Sequence, residues 1–401
     1  MSRYFADEKV NTGRQLELDV LKALCVVGMI FIHILLDLGD EVAPTALDDY
    51  GTELFGAATF MICMGIGMCY SRNQTPAAYV QRGLALLTMG QFLNIMRDSI
   101  PSLIAWEITG EQFFIAHVLL VLQSDILSFA GLAFLLMALL KKFKLDEKAI
   151  LCISVAMNFV GLLAWHYMPL PKNYLAQQGL AYFFITDAEA YFPLFCYFIF
   201  VAFGYFLGTY YPRIKDKDGL SVRVMLIGFP VTVIYYALRL THEWAWLPEL
   251  GSDLQYNMKP TPDAVVNCIF TVAFIGLLYK IVHAAGDRIP HIVSHFSENI
   301  NSYYCIHYMF VMPVQTILIA TTGGLISSPA VTLLYACFVT AACYFIIEMN
   351  EKHWHIHFVS LKGTKRIIFV AAVWAATIAL VAYSYPRIEE FANIWNDYLL
   401  P

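Results

Sequence analysis

The chain has 401 residues, of which 59% are hydrophobic and only 14% are charged, and its formal net charge is -6. A soluble domain carries about 25% charged residues, so this composition excludes an ordinary soluble protein and predicts an integral membrane protein. The small negative charge also excludes a basic nucleic-acid-binding domain. The nine cysteines lie mostly inside apolar segments and none belongs to a CxxC pair, which is typical of small buried hydrophobes.

Apolar stretches long enough to cross a bilayer as helices, about 20 residues each, recur along the whole chain. They lie near residues 18–38, 52–71, 79–96, 118–140, 149–168, 191–211, 222–240, 263–284, 300–320, 329–348 and 365–384. We therefore expect an all-α, polytopic membrane protein with ten or eleven transmembrane helices in one domain over residues 1–401. The fourth span is the least defined, since apolar character begins at Phe113, and residues 111–121 are alternatively a separate interfacial or re-entrant piece.

The distribution of basic residues predicts the orientation of these spans. With the N-terminus in the cytoplasm, nineteen of the 25 Lys and Arg residues fall in inside segments and five in outside segments, as the positive-inside rule requires. We expect a cytoplasmic N-terminus, an outside C-terminus and a location in the bacterial inner membrane. The first sixteen residues resemble no signal peptide, so the first span is expected to direct insertion. Residues 241–262, rich in Pro and aromatic side chains, are predicted to form an external lid.

One histidine lies past the middle of the first apolar stretch, residues 20–38. His33 follows Lys22 by eleven positions, which on a helix is a rise of roughly 16 Å, about half of the hydrocarbon thickness. Ionisable residues at membrane depth are rare and usually functional, and an imidazole accepts a proton near neutral pH. The pattern predicts His33 as a general base above an anion site of Arg14 and Lys22. Alternatively, Lys22 only extends its ammonium into the headgroups.

Several polar residues lie along the third span and just beyond its end. Arg82 lies at its expected inner end, Gln91 and Asn94 lie in its outer half, and Arg97 follows Asn94 by three positions on the same helical face. In the functional interpretation, Arg82 binds an acidic group inside and Asn94 lines an outer pocket. Alternatively, Arg82 and Arg97 are interfacial anchors, and Asn94 forms interhelical hydrogen bonds.

Two further polar groups are candidates for chemistry. Asp125 lies in the fourth span, two positions after Gln123. It either orients a catalytic histidine, as in a hydrolase triad, or caps a helix. The ninth span opens with a polar group that includes Tyr304 and His307. Packing alone does not explain so many polar residues, which favours a functional role for this group. The alternative interpretation is a capped helix start that contains one hydrogen-bonded histidine. No metal site is expected, because no cysteine or carboxylate completes the set of three alternating histidines at 353, 355 and 357.

Four segments in chain order carry a family resemblance: residues 18–22 with His33, residues 60–94, residues 122–127 and residues 302–307. They are similar to the "Leu-Asp-x-Leu-Arg … His" opening, the arginine-led third helix, the Leu-Gln segment and the late Ser-Tyr … His motif of the transmembrane acyltransferase superfamily. This superfamily includes the acyltransferase-three sugar O-acyltransferases and the heparan-α-glucosaminide N-acetyltransferase group. Lys22 stands where the family usually has arginine, so it keeps the charge but loses the bidentate fork for phosphate.

The resemblance implies an acyltransferase that moves an acyl group, acetyl by default, from cytoplasmic acyl-CoA to a hydroxyl or amine of an extracytoplasmic sugar or glycan. His33, as base or acyl carrier, and Asp125 would then be the catalytic residues. The residues expected to bind the acyl-CoA donor are Lys22, Arg82, Arg14 and His307. The residues expected to bind the acceptor are Asn94, Gln123 and Gln91.

Two other classes of protein compete with this interpretation. A transporter or flippase would use the same intramembrane polar residues as a translocation path, but it predicts a repeat symmetry that the sequence lacks. A structural or sensory membrane protein would tolerate apolar replacement of Lys22 and His33. Besides the bilayer and a glycan acceptor, a homodimer stays open as a partner.

Overall fold

The computed structural model describes residues 3–40, 56–186, 191–241, 260–356, 361 and 363–389. Over these residues the chain is helical, with no β-strand beyond two isolated bridges, which confirms the all-α fold class. Most of the predicted external lid, residues 242–259, lies outside the described residues. The same holds for His357, one of the three alternating histidines.

Fifteen α-helices are present in the described part of the chain. In the first half they are α1 Leu16–Asp37, α2 Ala57–Tyr70, α3 Pro76–Asn94, α4 Ile100–Thr109, α5 Gln112–His117, α6 Ile126–Lys142, α7 Glu147–Tyr167 and α8 Tyr174–Ala181. In the second half they are α9 Leu194–Tyr210, α10 Lys217–Thr241, α11 Thr261–Ala284, α12 His291–Glu298, α13 Ile300–Thr322, α14 Pro329–Met349 and α15 Gly363–Glu389. Short 3-10 segments cover Val118–Leu122 and Tyr211–Arg213, and π-helical turns cover Ile95–Ser99 and Asn350–Trp354.

Eight of the described helices are long and apolar enough to cross a membrane, so the protein is a polytopic membrane protein. They are α1, α7, α9, α10, α11, α13, α14 and α15, and each coincides with a predicted span. The three other predicted spans are mostly helical over their described residues. Of these, α2 has only 14 residues, and α3 is the less apolar helix that leads into the π-helical turn Ile95–Ser99.

The predicted fourth span is two pieces rather than one helix. The chain forms α5 and the 3-10 segment Val118–Leu122, breaks at residues 123–125, and starts again as α6 at Ile126. The expectation of a separate piece over residues 111–121 is thus confirmed, and the continuous helix 118–140 is wrong. The physical reason is the carboxylate of Asp125, which accepts hydrogen bonds from the first backbone N–H groups of α6 and so fixes a new helix start.

The chain divides into two compact units. The first unit comprises residues 1–28, 49–80 and 133–300. In it, α9 packs closely on α2, because Gly65 and Gly204 have no side chains: a Cβ at Gly204 would lie 2.1 Å from the carbonyl oxygen of Ile62. This approach requires glycine at both positions.

The second unit comprises residues 29–48, 81–132 and 301–401. It contains the end of α1, most of α3, the π-helical turn, the break at residues 123–125, and α13. Gly131 of α6 allows a close approach to α3, since a Cβ there would lie 2.8 Å from the carbonyl oxygen of Gly83. The π-helical turn packs against Val118–Leu122, and this contact brings the polar residues of both segments together.

Candidate functional site

His33 is held by two polar neighbours in the second unit. Its Nδ1 lies 3.3 Å from Oδ2 of Asp37, one helical turn along α1. Because a carboxylate only accepts, Nδ1 carries the hydrogen and Nε2 keeps a lone pair in the neutral ring. The Tyr308 hydroxyl of α13 lies 3.0 Å from both ring nitrogens, Nδ1 and Nε2. The side chain of His33 is 30% exposed, so the ring is anchored and still partly uncovered.

His307 packs beside this pair on α13. The His33 and His307 ring centroids are 5.3 Å apart, and the Tyr308 ring lies 4.3 Å from that of His307. Nδ1 of His307 lies 3.0 Å from the Tyr303 carbonyl oxygen, so it carries the hydrogen. The Nε2 atom is buried and has no hydrogen-bond partner among the described residues. A buried polar atom left unsatisfied costs about 1–3 kcal/mol, so this lone pair is a candidate contact for a reactant.

Arg97 forms the centre of a buried charge cluster. Its Nε donates to Oδ2 of Asp98 at 2.7 Å, its Nη2 donates to Oε1 of Gln123 at 3.0 Å, and its Nη1 lies 3.8 Å from Oδ2 of Asp125. The guanidinium carbon also lies 4.3 Å from the centroid of the Tyr308 ring. With a side chain only 4% exposed, Arg97 is enclosed by protein side chains, which does not fit an exposed interfacial anchor.

Asp125 has two roles in this arrangement. One carboxylate oxygen caps α6, with two backbone N–H donors at 3.0 Å, which confirms the capping alternative. The other oxygen accepts from the Tyr304 hydroxyl at 3.1 Å and faces Arg97. The carboxylate that bonds to His33 is Asp37 instead, so Asp125 can influence the histidines only through Arg97 and the tyrosines of α13.

The three residues predicted to bind the acceptor are all buried in this unit. Asn94 donates from Nδ2 to the carbonyl oxygens of Val121 and Gln123, at 3.3 and 2.9 Å, so it joins α3 to the 3-10 segment. Gln123 uses its side-chain oxygen for Arg97. Gln91 is 2% exposed. Asn94 therefore forms the interhelical bonds of the alternative interpretation, and its buried Oδ1 has no partner within the described chain.

Arg14 and Lys22 meet on one carboxylate in the first unit. Asp19 accepts from Arg14 Nε at 2.5 Å and from the Ser297 hydroxyl at 2.6 Å, and its Oδ1 lies 2.9 Å from Lys22 Nζ. Arg14 also pairs with Glu298 at 2.9 Å. The hydrogen bond to Asp19 raises the pKa of Arg14, so its charge is permanent. Arg14, Asp19 and Lys22 line a cavity of about 220 Å³.

Arg82, the third cation predicted to bind the donor, lies in the second unit and is exposed on α3. His307, also predicted to bind the donor, is buried beside His33. The structure thus brings together Arg14 with Lys22 in one unit, and His33, His307, Asn94, Gln123 and Asp125 in the other.

The comparisons with known proteins identify the family. A family model described as an acyltransferase domain, acyltransferase-three, matches residues 15–348, which is most of the chain. The protein belongs to the acyltransferase-three family. This confirms the resemblance that the four sequence motifs indicate, and it makes the protein a membrane acyltransferase. No curated protein and no solved structure matches the chain.

The acyltransferase-three match includes the pair His33 and His307 and the charge cluster around Arg97, whereas Arg14 and α15 lie outside it. Several members of these clusters were not among the predicted site residues: Asp37, Arg97, Asp98 and Tyr308. A local signal existed for Asp37, since it follows His33 by four positions and so shares its helical face. Tyr308 and Asp98 adjoin residues that the sequence had already marked, but only the tertiary contacts show their roles.

Proposed function

We propose that this acyltransferase moves an acyl group, acetyl by default, from cytoplasmic acyl-CoA to a hydroxyl or amine of an extracytoplasmic sugar or glycan. The observation that carries the proposal is the His33–Asp37 pair, which leaves Nε2 of a partly exposed intramembrane imidazole available as a base. The proposal includes the eleven spans, the cytoplasmic N-terminus, the outside C-terminus and the bacterial inner membrane that the sequence predicts.

The donor enters from the cytoplasmic side. The phosphates of acyl-CoA carry negative charge, and Arg14 and Lys22 are the cations at the start of α1. Both are paired with Asp19, and Arg14 is 49% exposed. The exposed sides of Arg14 and Lys22 can bind a multiply charged phosphate group while the buried carboxylate of Asp19 keeps its hydrogen bond from Ser297.

The transfer itself takes place at His33. Nε2 takes the proton of the acceptor hydroxyl or amine, and the freed oxygen or nitrogen attacks the thioester carbonyl carbon. The carbon–sulfur bond breaks, and the CoA thiolate leaves and receives the proton from the imidazolium. The Tyr308 hydroxyl, 3.0 Å from the imidazole, is placed to donate to the carbonyl oxygen while negative charge develops there.

Asp37 keeps the imidazole in the required tautomer. A carboxylate on Nδ1 also stabilises the imidazolium that forms when Nε2 takes the proton. The same geometry allows His33 to attack the thioester itself and carry the acyl group, in which case His307 Nε2 is the nearby lone pair that can receive the acceptor proton.

The test uses purified protein, acetyl-CoA labelled in the acetyl group, and a panel of glycans. Wild type should transfer label, and His33→Ala should lose this transfer by about 100-fold or more, because general base catalysis contributes about 10²–10⁴-fold. His283→Ala is the matched control, since His283 lies exposed in the first unit with Asp287 as its neighbour. Undiminished label transfer by His33→Ala would contradict the proposal, and wild type that neither binds CoA nor transfers label would favour a transporter.

A further inference from the structure

A cavity of about 550 Å³ lies in the first unit, apart from the residues assigned to the site so far. Residues 5–7 form one wall, and α9, α10 and α11 form the others. The lining combines aromatic side chains with two cations and one carboxylate: it includes Phe5, Tyr210 and Tyr211 together with Arg213, Lys217 and Asp7. Such a lining suits a ligand that has both a flat ring and a negative charge.

The N-terminal wall of the cavity is fixed by backbone hydrogen bonds. Ala6 N–H donates to the carbonyl oxygen of Arg213 at 2.8 Å, and Lys215 N–H donates to that of Tyr4 at 2.9 Å. Farther along, the N–H groups of Val10 and Asn11 both donate to the carbonyl oxygen of Pro212, at 2.8 and 2.9 Å. The segment before α1 is therefore attached to the loop after α9, and the cavity between them is a built feature.

The two cations of the cavity differ in their partners. Lys217 pairs with Glu17 at 2.8 Å and also donates to Gln15. Arg213 makes no hydrogen bond or ion pair with any described residue, and its Nε is buried. Its nearest aromatic contact is the Tyr210 ring, whose centroid lies 5.6 Å from the guanidinium carbon. A partly buried cation without an anion is unfavourable. Although the lining also includes one carboxylate residue, Asp7, it forms no ion pair with Arg213, so this guanidinium is available to an anionic ligand.

We propose that this cavity binds the phosphorylated nucleotide end of the acyl-CoA donor, an inference that rests on the proposed function. Arg213 takes the phosphate, because its planar fork matches phosphate oxygens in a bidentate way. The aromatic side chains offer faces on which a purine stacks. The guanidinium would thus bind the phosphate of a purine nucleotide, and the aromatic side chains would bind its base.

The cavity also adjoins the cation pair assigned to the donor. Lys217 lines the 550 Å³ cavity, and Gln15 lines the 220 Å³ cavity that contains Arg14 and Lys22. The hydrogen bond from Lys217 to Gln15 joins the two linings directly. With the nucleotide bound at Arg213, the rest of the donor extends past Gln15 toward Lys22, along the first unit.

Calorimetric titration of purified protein in neutral detergent tests this assignment with two probes: CoA, and adenosine 3′,5′-bisphosphate, which lacks the pantetheine arm. Arg213→Gln should weaken the binding of both by about 10- to 100-fold, since it removes a charged hydrogen-bond donor. Arg213→Lys, which keeps the charge without the fork, should lie between wild type and Arg213→Gln. Lys280→Gln, which removes a cation of the same unit that pairs with Asp218, should bind both probes as wild type does. A thermal melt of each variant confirms that it is folded.

The outcomes separate this inference from the proposed function. If Arg213→Gln binds both probes with wild-type affinity while wild type transfers label, the nucleotide site is wrong and the proposed function is unaffected. An anionic lipid headgroup also carries a phosphate, so it is the alternative ligand for Arg213. If Arg213→Gln changes only the thermal stabilisation by phosphatidylglycerol nanodiscs and not CoA affinity, the cavity is a lipid site and the inference is wrong. A wild type that neither binds CoA nor transfers label overturns both.

Discussion

Two charge clusters of this molecule contain the same kinds of residues but differ in the exposure of their cations. In the first unit, Arg14 and Lys22 are 49% and 28% exposed, although the Asp19 side chain with which they pair is only 8% exposed. In the second unit, Arg97 and Asp98 pair with side chains that are 4% and 1% exposed. Exposed pairs contribute little and exchange partners readily, whereas a buried pair that loses one member leaves an uncompensated charge. The first cluster is thus suited to bind and release an anion, and the second to hold a fixed geometry.

The largest effect is expected for Arg97→Met in the buried cluster. This change leaves Asp98 and Asp125 without their cation, so the free energy of unfolding should fall by about 3–5 kcal/mol. Denaturant unfolding in detergent, followed by tryptophan fluorescence, measures it. A loss below about 1 kcal/mol, similar to that of an exposed pair, would remove the contrast between the two clusters.

Asp37→Asn should have the next largest effect, on activity rather than stability. The amide can hold either tautomer of His33 and does not stabilise the imidazolium, so kcat should fall by about 100-fold, within the range of general base catalysis. The measurement is label transfer at saturating acetyl-CoA. Asp40→Asn, an exposed aspartate three positions farther along, should keep wild-type activity; equal losses in both variants would show that Asp37 acts only through net charge.

Gly204→Ala tests whether helix packing rather than ion pairing stabilises the first unit. The new Cβ would meet the backbone of α2, with the Ile62 carbonyl oxygen at 2.1 Å, so a loss of about 1–3 kcal/mol in unfolding free energy is expected. Gly179→Ala serves as the control, since no atom lies within 4 Å of its added Cβ. If both variants are equally stable, α2 and α9 do not need this close approach.

Arg14→Met should have the smallest effect on stability, about 0–1 kcal/mol, because Arg14 is half exposed and the buried Asp19 keeps Lys22 and Ser297 as partners. Its affinity for CoA should nevertheless fall, since a cation of the donor site is lost. Thermal unfolding and CoA titration on the same preparation measure the two quantities. A large loss of stability with unchanged CoA affinity would make the Asp19 cluster structural instead.

The sequence predicted the apolar helices well, for a reason visible at α1. A bilayer-length apolar stretch specifies a helix by composition alone, and the predicted span 18–38 differs little from Leu16–Asp37. The break before α6 was harder, since it depends on a single carboxylate that caps the helix in the middle of an apolar stretch. Capping by Asp125 was only one of two alternatives.

The residues of the candidate site were predictable where neighbouring residues in the sequence identify them. His33 and Lys22 stand out as ionisable residues in an apolar stretch, and the grouping of Arg14 with Lys22 follows from their proximity in the chain. The position of Arg97 was not predictable, because a cation at a helix end is as compatible with the interface as with the interior. Its burial depends on the π-helical turn and on the segment Val118–Leu122 that covers it, and both are tertiary features.

The most direct measurement compares kcat and KM for acetyl-CoA in two variants of the same helix. Lys22→Gln should raise KM while kcat stays near wild type, because Lys22 only binds the donor. His33→Gln should lower kcat by about 100-fold or more while KM for acetyl-CoA stays within about threefold, a difference of about 0.7 kcal/mol. A His33→Gln enzyme with wild-type kcat, or a Lys22→Gln enzyme whose kcat falls as far as that of His33→Gln, would contradict this division between donor binding and transfer.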